Sequence, residues 1–296
     1  MSELNFSFVD VFAEKKYAGN QLAVIRGAGA LSGEEMQAIA CEINFSESTF
    51  ILADEPRDGG YDVRIFTPKH EVPFAGHPTL GTAHIIRSVL LGGQVDQVIL
   101  NLQVGQIPVI FSPDGYCWMK QIEPSFGPKH PPETLAGVLG LDPGEIDPRF
   151  PVEEVSTGLQ FFIVPLKTLA ALQKAHVDRP KYDNLVNQTE AKGILIFCPE
   201  PHDKPFGEGQ NDLSVRVFVD YFGVPEDPAT GSGNGCLAGY LAGHHYFGQA
   251  TINVRAEQGY EIGRPSTLLL KTDLKDSKIE VYVGGKCITV AAGQLL

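Results

Sequence analysis

Val63-Arg64-Ile65-Phe66 returns 152 residues later as Val215-Arg216-Val217-Phe218, and at the same offset Val72-Pro73 returns as Val224-Pro225. A three-residue insertion then carries Gly76 onto Gly231 and Ala83 onto Ala238, 155 residues apart. Each copy reads as a strand, a Val-Pro step, a Gly-rich turn and an apolar helix. One short match arises easily by chance. A second in the same register does not, so the chain is read as a duplication. Two like halves are expected to meet about a pseudo-two-fold axis, as the subunits of symmetric dimers do.

The helix after the first Gly-rich turn is read over 79–91, with Pro78 suited to a first helical position. It is apolar on most sides, through Leu80, Ala83, Ile85, Ile86, Val89 and Leu90, and a helix apolar nearly all round is a buried one. Its counterpart is read over 236–247. Each N-terminus opens at a Gly-rich turn. If both turns face the junction of the halves, unpaired backbone N–H groups point at one cleft. Such a cleft suits a carboxylate and stabilises an enolate-like anion. Only small residues let a ligand approach backbone so closely, which gives Gly76, Gly231 and Gly233 a substrate-binding role.

Outward from the repeat, strands are expected over 6–11, 22–25, 48–53, 61–67, 98–102, 107–111 and 116–121. Ser32-Gly33-Glu34-Glu35 fits a capping box, followed by Met36, Ile39, Ala40 and Ile43 at helical spacing, so a helix should end near Asn44. Residues 123–132, rich in Pro, Gly and Lys, read as a linker. Beyond it come helices over 134–139 and 168–174, strands over 152–155, 161–164, 193–198 and 213–219, and a surface loop over 199–211. Strands over 266–271, 279–283 and 287–291 close the chain. The domains expected are 1–125, with 285–296 returning to it, and 126–284.

The chain has 296 residues, 43% hydrophobic and 20% charged, with a net charge of −13. Such an acidic balance argues against a nucleic-acid surface, which needs a dense basic stripe. Met1-Ser2-Glu3-Leu4-Asn5 lacks the basic and apolar regions of a secretory signal, and no apolar run approaches the roughly 20 residues of a membrane span. Five widely spaced cysteines without a C-x-x-C pair point to a reduced, cytoplasmic setting.

Phe45-Ser46-Glu47 lies at a helix-to-strand corner, where flanking elements are rigid. Glu47, between apolar Phe45 and Phe50, reads either as an exposed corner glutamate or as a half-buried carboxyl able to hold a proton near neutral pH. His77 reads as the N-cap of a buried helix, either structural or able to donate or shuttle a proton. Asp227 before Pro228 is a turn aspartate or a group that orients substrate. Ser232 is an N-cap or a ligand contact. Gly231-Ser232-Gly233-Asn234-Gly235 lacks the Lys-Ser/Thr of a phosphate loop. His70, His77 and His84 lack metal-site partners, so no metal is expected.

Four ordered segments carry a resemblance. They are Asn44-Phe45-Ser46-Glu47-Ser48-Thr49-Phe50, then Phe66-Thr67-Pro68 with Glu71 to Ala83, then Asp227 to Gly233, and last Glu257-Gln258-Gly259 with Gly263-Arg264-Pro265-Ser266. In these the chain resembles the PhzF, or phenazine-biosynthesis-like, family. The resemblance implies an α+β, diaminopimelate-epimerase-like fold, with two similar barrel-like halves each around a central helix. It also implies a homodimer without a cofactor. It implies that Glu47 moves a proton between carbons of a small carboxylated substrate, and that His77, Asp227 and Ser232 line the pocket. Related epimerases carry a cysteine just before the glycine of each turn. Those places are Ala75 and Thr230 here, so a two-thiol racemase is disfavoured. The expected activity is a cofactor-independent isomerase with Glu47 as its single acid/base. The alternatives are an epimerase or racemase of a small amino or hydroxy acid, and a non-catalytic small-molecule binder.

Overall fold

The computed structural model describes residues 4–204, 206 and 209–296. Met1–Glu3 of the N-terminal reading, and Pro205, Gly207 and Glu208 of the expected surface loop, lie outside the described residues. The chain divides into two compact units, Met1–Met119 with Gly284–Leu296, and Lys120–Val283.

The first unit runs through β1 (Leu4–Val11), β2 (Asn20–Arg26), α1 (Gly33–Ile43), β3 (Glu47–Ile51), β4 (Tyr61–Phe66) and β5 (Glu71–Val72). It continues with α2 (Gly76–Ile85), β6 (Gln97–Leu102), β7 (Gly105–Phe111) and β8 (Cys117–Lys120). The second holds β9 (Ser125–His130), α3 (Pro132–Val138), β10 (Val152–Ser156), β11 (Gln160–Pro165), α4 (Leu169–Lys174), α5 (Arg179–Val186) and β12 (Gly193–Cys198). Then come β13 (Leu213–Val219), β14 (Val224–Asp227), α6 (Gly231–Gly243), β15 (Ile252–Gln258), β16 (Ser266–Lys275) and β17 (Lys278–Gly285). The last strand, β18 (Cys287–Leu295), pairs antiparallel with β1 in the first unit.

The two units repeat one pairing pattern. In the first, β1 pairs antiparallel with β2, β2 parallel with β3, β3 antiparallel with β4, and β4 parallel with β6. In the second, β10, β11, β12, β13 and β15 follow the same sequence of antiparallel, parallel, antiparallel and parallel pairs. The Val-Arg-x-Phe repeat now has a physical cause. Residues two apart share a strand face, and each arginine lies over the phenylalanine two positions on, 5.0 Å from the ring centre for Arg64–Phe66 and 4.9 Å for Arg216–Phe218. Each guanidinium also forks onto one glutamate: Arg64 Nε and Nη2 reach Glu71 at 2.8 and 2.7 Å, and Arg216 Nε and Nη2 reach Glu226 at 3.0 and 2.8 Å.

The central helices account for the apolar runs. α2 packs against β1, β2, β3, β6, β7 and β18, and α6 against β10, β11, β12, β15 and β16. A helix enclosed by strands needs no polar face, and α2 is buried at every position from His77 to Ala83. Small residues let the strands close in. A Cβ on Gly81 would stand 2.6 Å from Leu22 Cδ2, and one on Gly239 the same distance from Pro124 Cβ. The opposite sheet faces are covered as well. Ala23, Ile25 and Phe50 join Met36 and Ala40 of α1, and Phe162, Ile194 and Ile196 join residues of α3, α4 and α5. Strands buried on both faces read as continuous apolar runs, as in Leu22-Ala23-Val24-Ile25. Each fully buried Leu or Ile contributes roughly 1.5–3 kcal/mol.

Several expectations need correction. Residues 123–132 are not a linker, because Ser125–His130 forms β9 and pairs antiparallel with β10. The helix expected over 79–91 begins at Gly76 and turns π-helical over Ile86–Leu90, and the one expected over 236–247 begins at Gly231. His77 and Ser232 are therefore not N-caps. Those positions belong to Ala75 and Thr230, which also places Pro78 inside the first turn. The sequence reading includes neither α5 nor β15. Among the described residues no helix is long and apolar enough to cross a membrane.

Candidate active site

In the first unit, the chain leaves α1 through Asn44, which caps it in the left-handed region with φ 56°, and three residues later enters β3 at Glu47. Glu47 pairs with Leu22 across the parallel β2–β3 contact, so its backbone is fixed inside the sheet. Ser46 Oγ donates to Asn20 Oδ1 at 3.3 Å, tying the corner to the buried start of β2. Glu47 Oε2 lies 3.4 Å from His77 Nε2, and the side chains are 20% and 8% exposed. That separation is within ion-pair reach and longer than an ordinary N–H···O hydrogen bond. Glu47, Gly76 and His77 are thus brought together where α2 begins.

The electrostatics of Glu47 are unusual for a carboxyl. Burial pushes it from an ordinary 4.5 up to about 7, with a hydrogen bond from Ser46 partly opposing the rise. Among the described residues Oε2 is buried without a hydrogen-bond partner. A second buried carboxyl makes the contrast. Glu257 accepts from the His202 backbone N–H at 2.6 Å, Asn211 Nδ2 at 2.6 Å and Ser214 Oγ at 2.7 Å. Glu257 is thus held by three donors, whereas Glu47 Oε2 has none among the described residues and its carboxyl is shifted by burial toward neutral pH.

In the second unit, Asp227 ends β14, and Gly231, Ser232 and Gly233 form the first turn of α6. Thr230 Oγ1 donates to Asp227 Oδ2 at 2.5 Å. Thr230 is the N-cap of α6, yet its side chain makes no capping hydrogen bond. Ala75, the N-cap of α2, has no group to cap with. These are the two places where thiol-based epimerases would carry cysteine. Cys236 does not replace them. It is buried in α6, its thiol is 3.3 Å from Leu159 O, and burial pushes it up to about 11. Among the described residues no cluster of three or more His, Cys, Asp or Glu side chains could hold a metal ion.

Sequence reasoning missed two things. Gln258, buried at 1% exposure, contacts Asp227, Thr230 and Asn234. Its signal is its place in the Glu257-Gln258-Gly259 motif, whose residue types alone suggest no role. The second is the counterpart of Glu47. Ser48 pairs with Phe66, and Ile194 pairs with Phe218, the equivalent phenylalanine. One residue earlier on each strand, Glu47 therefore corresponds to Gly193. A Cβ on Gly193 would stand 2.4 Å from the Phe161 ring, so that position has no room for a side chain.

The family of phenazine biosynthesis-like proteins matches residues 9–293. A trans-2,3-dihydro-3-hydroxyanthranilate isomerase of Pseudomonas aeruginosa is 35% identical over 295 residues, 97% of this chain and 97% of that protein. The crystal structure of a Bacillus anthracis phenazine biosynthesis protein of the PhzF family matches with a TM-score of 0.87 at 26% identity, covering all of both chains. A hydroxyproline epimerase from Agrobacterium vitis matches with a TM-score of 0.62 over 100% of this chain and 91% of that one. At 10% identity the epimerase shares the fold alone.

Proposed function

This chain is an isomerase that belongs to the phenazine biosynthesis-like family, and from that premise we propose that it shifts a proton between two carbons of a small carboxylated metabolite through one acid/base, Glu47. The observation that carries the reading is the buried Glu47 carboxyl, raised to about 7 and 3.4 Å from His77. A group with a pKa near the working pH serves as base in one step and acid in the next. As carboxylate, Glu47 removes an acidic C–H proton. The electron pair delocalises toward the substrate's carboxylate. The Glu47 carboxylic acid then returns the proton to a second carbon on the same face, and the double bonds move accordingly.

His77 stabilises the developing anion from beside Glu47. Asp227 orients a substrate amine or hydroxyl. The candidate substrate-binding residues are Gly76 in the first turn of α2, and Gly231, Ser232 and Gly233 in the first turn of α6, each behind an N-cap residue whose side chain makes no cap. The reaction uses no metal and no cofactor. The Pseudomonas relative makes cyclic, unsaturated amino acids the first substrates to try. We further propose a homodimer in the cytoplasm, consistent with five free thiols.

Three observations favour one base over two. Gly193 stands where a second glutamate would be, Ala75 cannot act as a base, and Thr230 has its hydroxyl committed to Asp227. The test is turnover in D2O, followed by NMR, with trans-2,3-dihydro-3-hydroxyanthranilate and other small cyclic carboxylic acids. The expected product has a migrated double bond and at most one deuterium, at the new C–H, and Glu47→Gln lowers the rate by about 10³-fold or more. Inversion at one carbon without bond migration, or full turnover by Glu47→Gln, refutes the reading.

A further inference from the structure

The Glu257-Gln258-Gly259 motif lies at the end of β15, and the proposed chemistry leaves it without a part. Its middle residue has all four hydrogen-bonding directions of a primary amide engaged. Gln258 Nε2 donates to Asp227 O at 2.7 Å and to Thr230 Oγ1 at 3.1 Å. Gln258 Oε1 accepts from the Thr230 backbone N–H at 3.2 Å and from Asn234 Nδ2 at 2.8 Å. Turning the amide over would set oxygen against the Asp227 carbonyl and NH2 against two donors, so only one orientation is compatible with the partners.

That orientation fixes the polarity of the Thr230 hydroxyl. Thr230 Oγ1 receives a proton from Gln258, so its own proton points to Asp227 Oδ2, 2.5 Å away. A threonine at an N-cap ordinarily turns its oxygen to a first-turn N–H of the helix. Here that oxygen is occupied by Gln258 and the cap is not made. One buried amide thus does two things: it aims Asp227, and it keeps the N-cap hydroxyl away from the first turn of α6.

The rest of the motif holds the amide in place. Gly259 has φ +80°, and a Cβ there would stand 2.4 Å from Arg264 O and 2.6 Å from Pro228 O. Ser266 Oγ bonds the same two carbonyls, each at 2.9 Å. The loop Asp227–Thr230 is therefore clasped from Gln258 on one side and from Gly259 and Ser266 on the other.

We propose that Gln258 is a positioning residue, which orders the Gln258–Thr230–Asp227 hydrogen-bond chain and thereby holds both the Asp227 carboxylate and the uncapped first turn of α6 ready for substrate. The proposal rests on the reading that Asp227 and that turn meet substrate. Its structural half stands without it.

The experiment has two arms. The first is the crystal structure of Gln258→Leu, or of Gln258→Glu should the leucine variant not fold. With the amide donor gone, Thr230 Oγ1 is expected to turn from Asp227 and cap a first-turn N–H of α6. A Thr230–Asp227 contact unchanged in the variant overturns the proposal, whatever reaction the enzyme performs. The second arm measures kcat and KM separately, on the substrate identified by the D2O assay, for Gln258→Glu, Thr230→Val, their double variant and Thr230→Ser. Misplacing a binding group by about 1 Å costs about 10²-fold, so each of the first two is expected to lose about 10- to 100-fold in kcat/KM. The double variant should lose no more than the worse single, and Thr230→Ser should stay within about threefold of the parent. Multiplicative losses in the double variant, or full activity in Gln258→Glu, overturn the proposal. A failure of Glu47→Gln to lower turnover tells against the one-base reading and leaves the first arm intact.

Discussion

Replacing Glu47 by glutamine should destroy activity and yet make the protein more stable, relative to the parent, as the pH rises. Burial carries this carboxyl from 4.5 up to about 7. Between those limits the folded chain keeps a proton that the unfolded chain has already released. Stability then falls with pH, by about 1.4 kcal/mol for each pH unit. Across the interval the loss is about 3 kcal/mol, absent below 4.5 and complete above 7. Glutamine has no proton to lose, so its burial costs the same at every pH. The difference in unfolding free energy, Glu47→Gln minus parent, should therefore rise by about 3 kcal/mol between about pH 4.5 and 7.5. Titrating groups remote from Glu47 are common to both proteins and cancel, and repeating the comparison in a His77→Gln background removes the contribution of the neighbouring imidazole. Trp118, the only tryptophan, lies in the same unit as Glu47, so its fluorescence in urea follows the unfolding of that unit. The m-values should agree between the two proteins. A difference that stays flat across this pH range refutes the reasoning, because it means that Glu47 ionises like an exposed carboxyl.

The same group sets the pH dependence of catalysis. Proton abstraction needs the carboxylate, so kcat/KM should rise with pH through about 7 and level off above it, measured as a pH–rate profile. Arg216→Met should cost more stability than Arg64→Met in thermal unfolding. The Arg216 side chain is 9% exposed against 31%, and it also donates to Leu172 O and Ala175 O at the end of α4. Breaking so buried a pair costs about 3–5 kcal/mol, and the more exposed one about 1 kcal/mol. Gly259→Ala should destabilise far more than Gly263→Ala. Both glycines have positive φ, which alone costs an alanine about 1–2 kcal/mol, but Gly263 faces open space and Gly259 faces two carbonyl oxygens. Cys236→Ala should keep turnover within about threefold, since a thiol pushed up to about 11 is no base at neutral pH.

What can be read from the sequence is what local physics repeats. Val-Arg-x-Phe recurs because an arginine must lie over a phenylalanine on one strand face and fork to one glutamate, and the two units solve that problem alike. The apolar helices are legible because a helix enclosed by strands has no polar side to show. α5 escapes notice because its polar start, Arg179-Pro180-Lys181, hides Tyr182, Leu185 and Val186 at helical spacing, although Asp178 is an ordinary cap for it. β15 carries a legible signal that the sequence reading does not use, since Ile252, Val254 and Ala256 alternate with Asn253 and Arg255 as in a half-buried strand. β9 is misread because Gly127, Pro128 and Lys129 are turn residues in most settings, and here they suit a largely exposed strand. The Gln258 chain leaves no periodic trace. Its meaning lies in which atom donates to which, across residues far apart in sequence.

The helix caps bear on both the substrate-binding turns and the single base. Ser32 and Glu35 form a full box on α1, Thr168 caps α4 and Asp178 caps α5, while α3, behind Pro131, has no side-chain cap. A side-chain cap contributes about 1 kcal/mol. The two central helices go without, and by different means, since Ala75 has no hydroxyl and Thr230 has one that Gln258 diverts. Shared descent of the two halves does not explain a common outcome reached through unlike residues. The proposed common use does: in it, both first turns turn their N–H groups to a ligand rather than to a capping side chain. The acid/base positions show the reverse pattern. There the scaffold is the same and the residues diverge completely, to Glu47 in one unit and Gly193 in the other. On the proposed site, binding by backbone is duplicated while the acid/base stands in one copy alone, which is the arrangement that one base moving a proton along one face of its substrate requires.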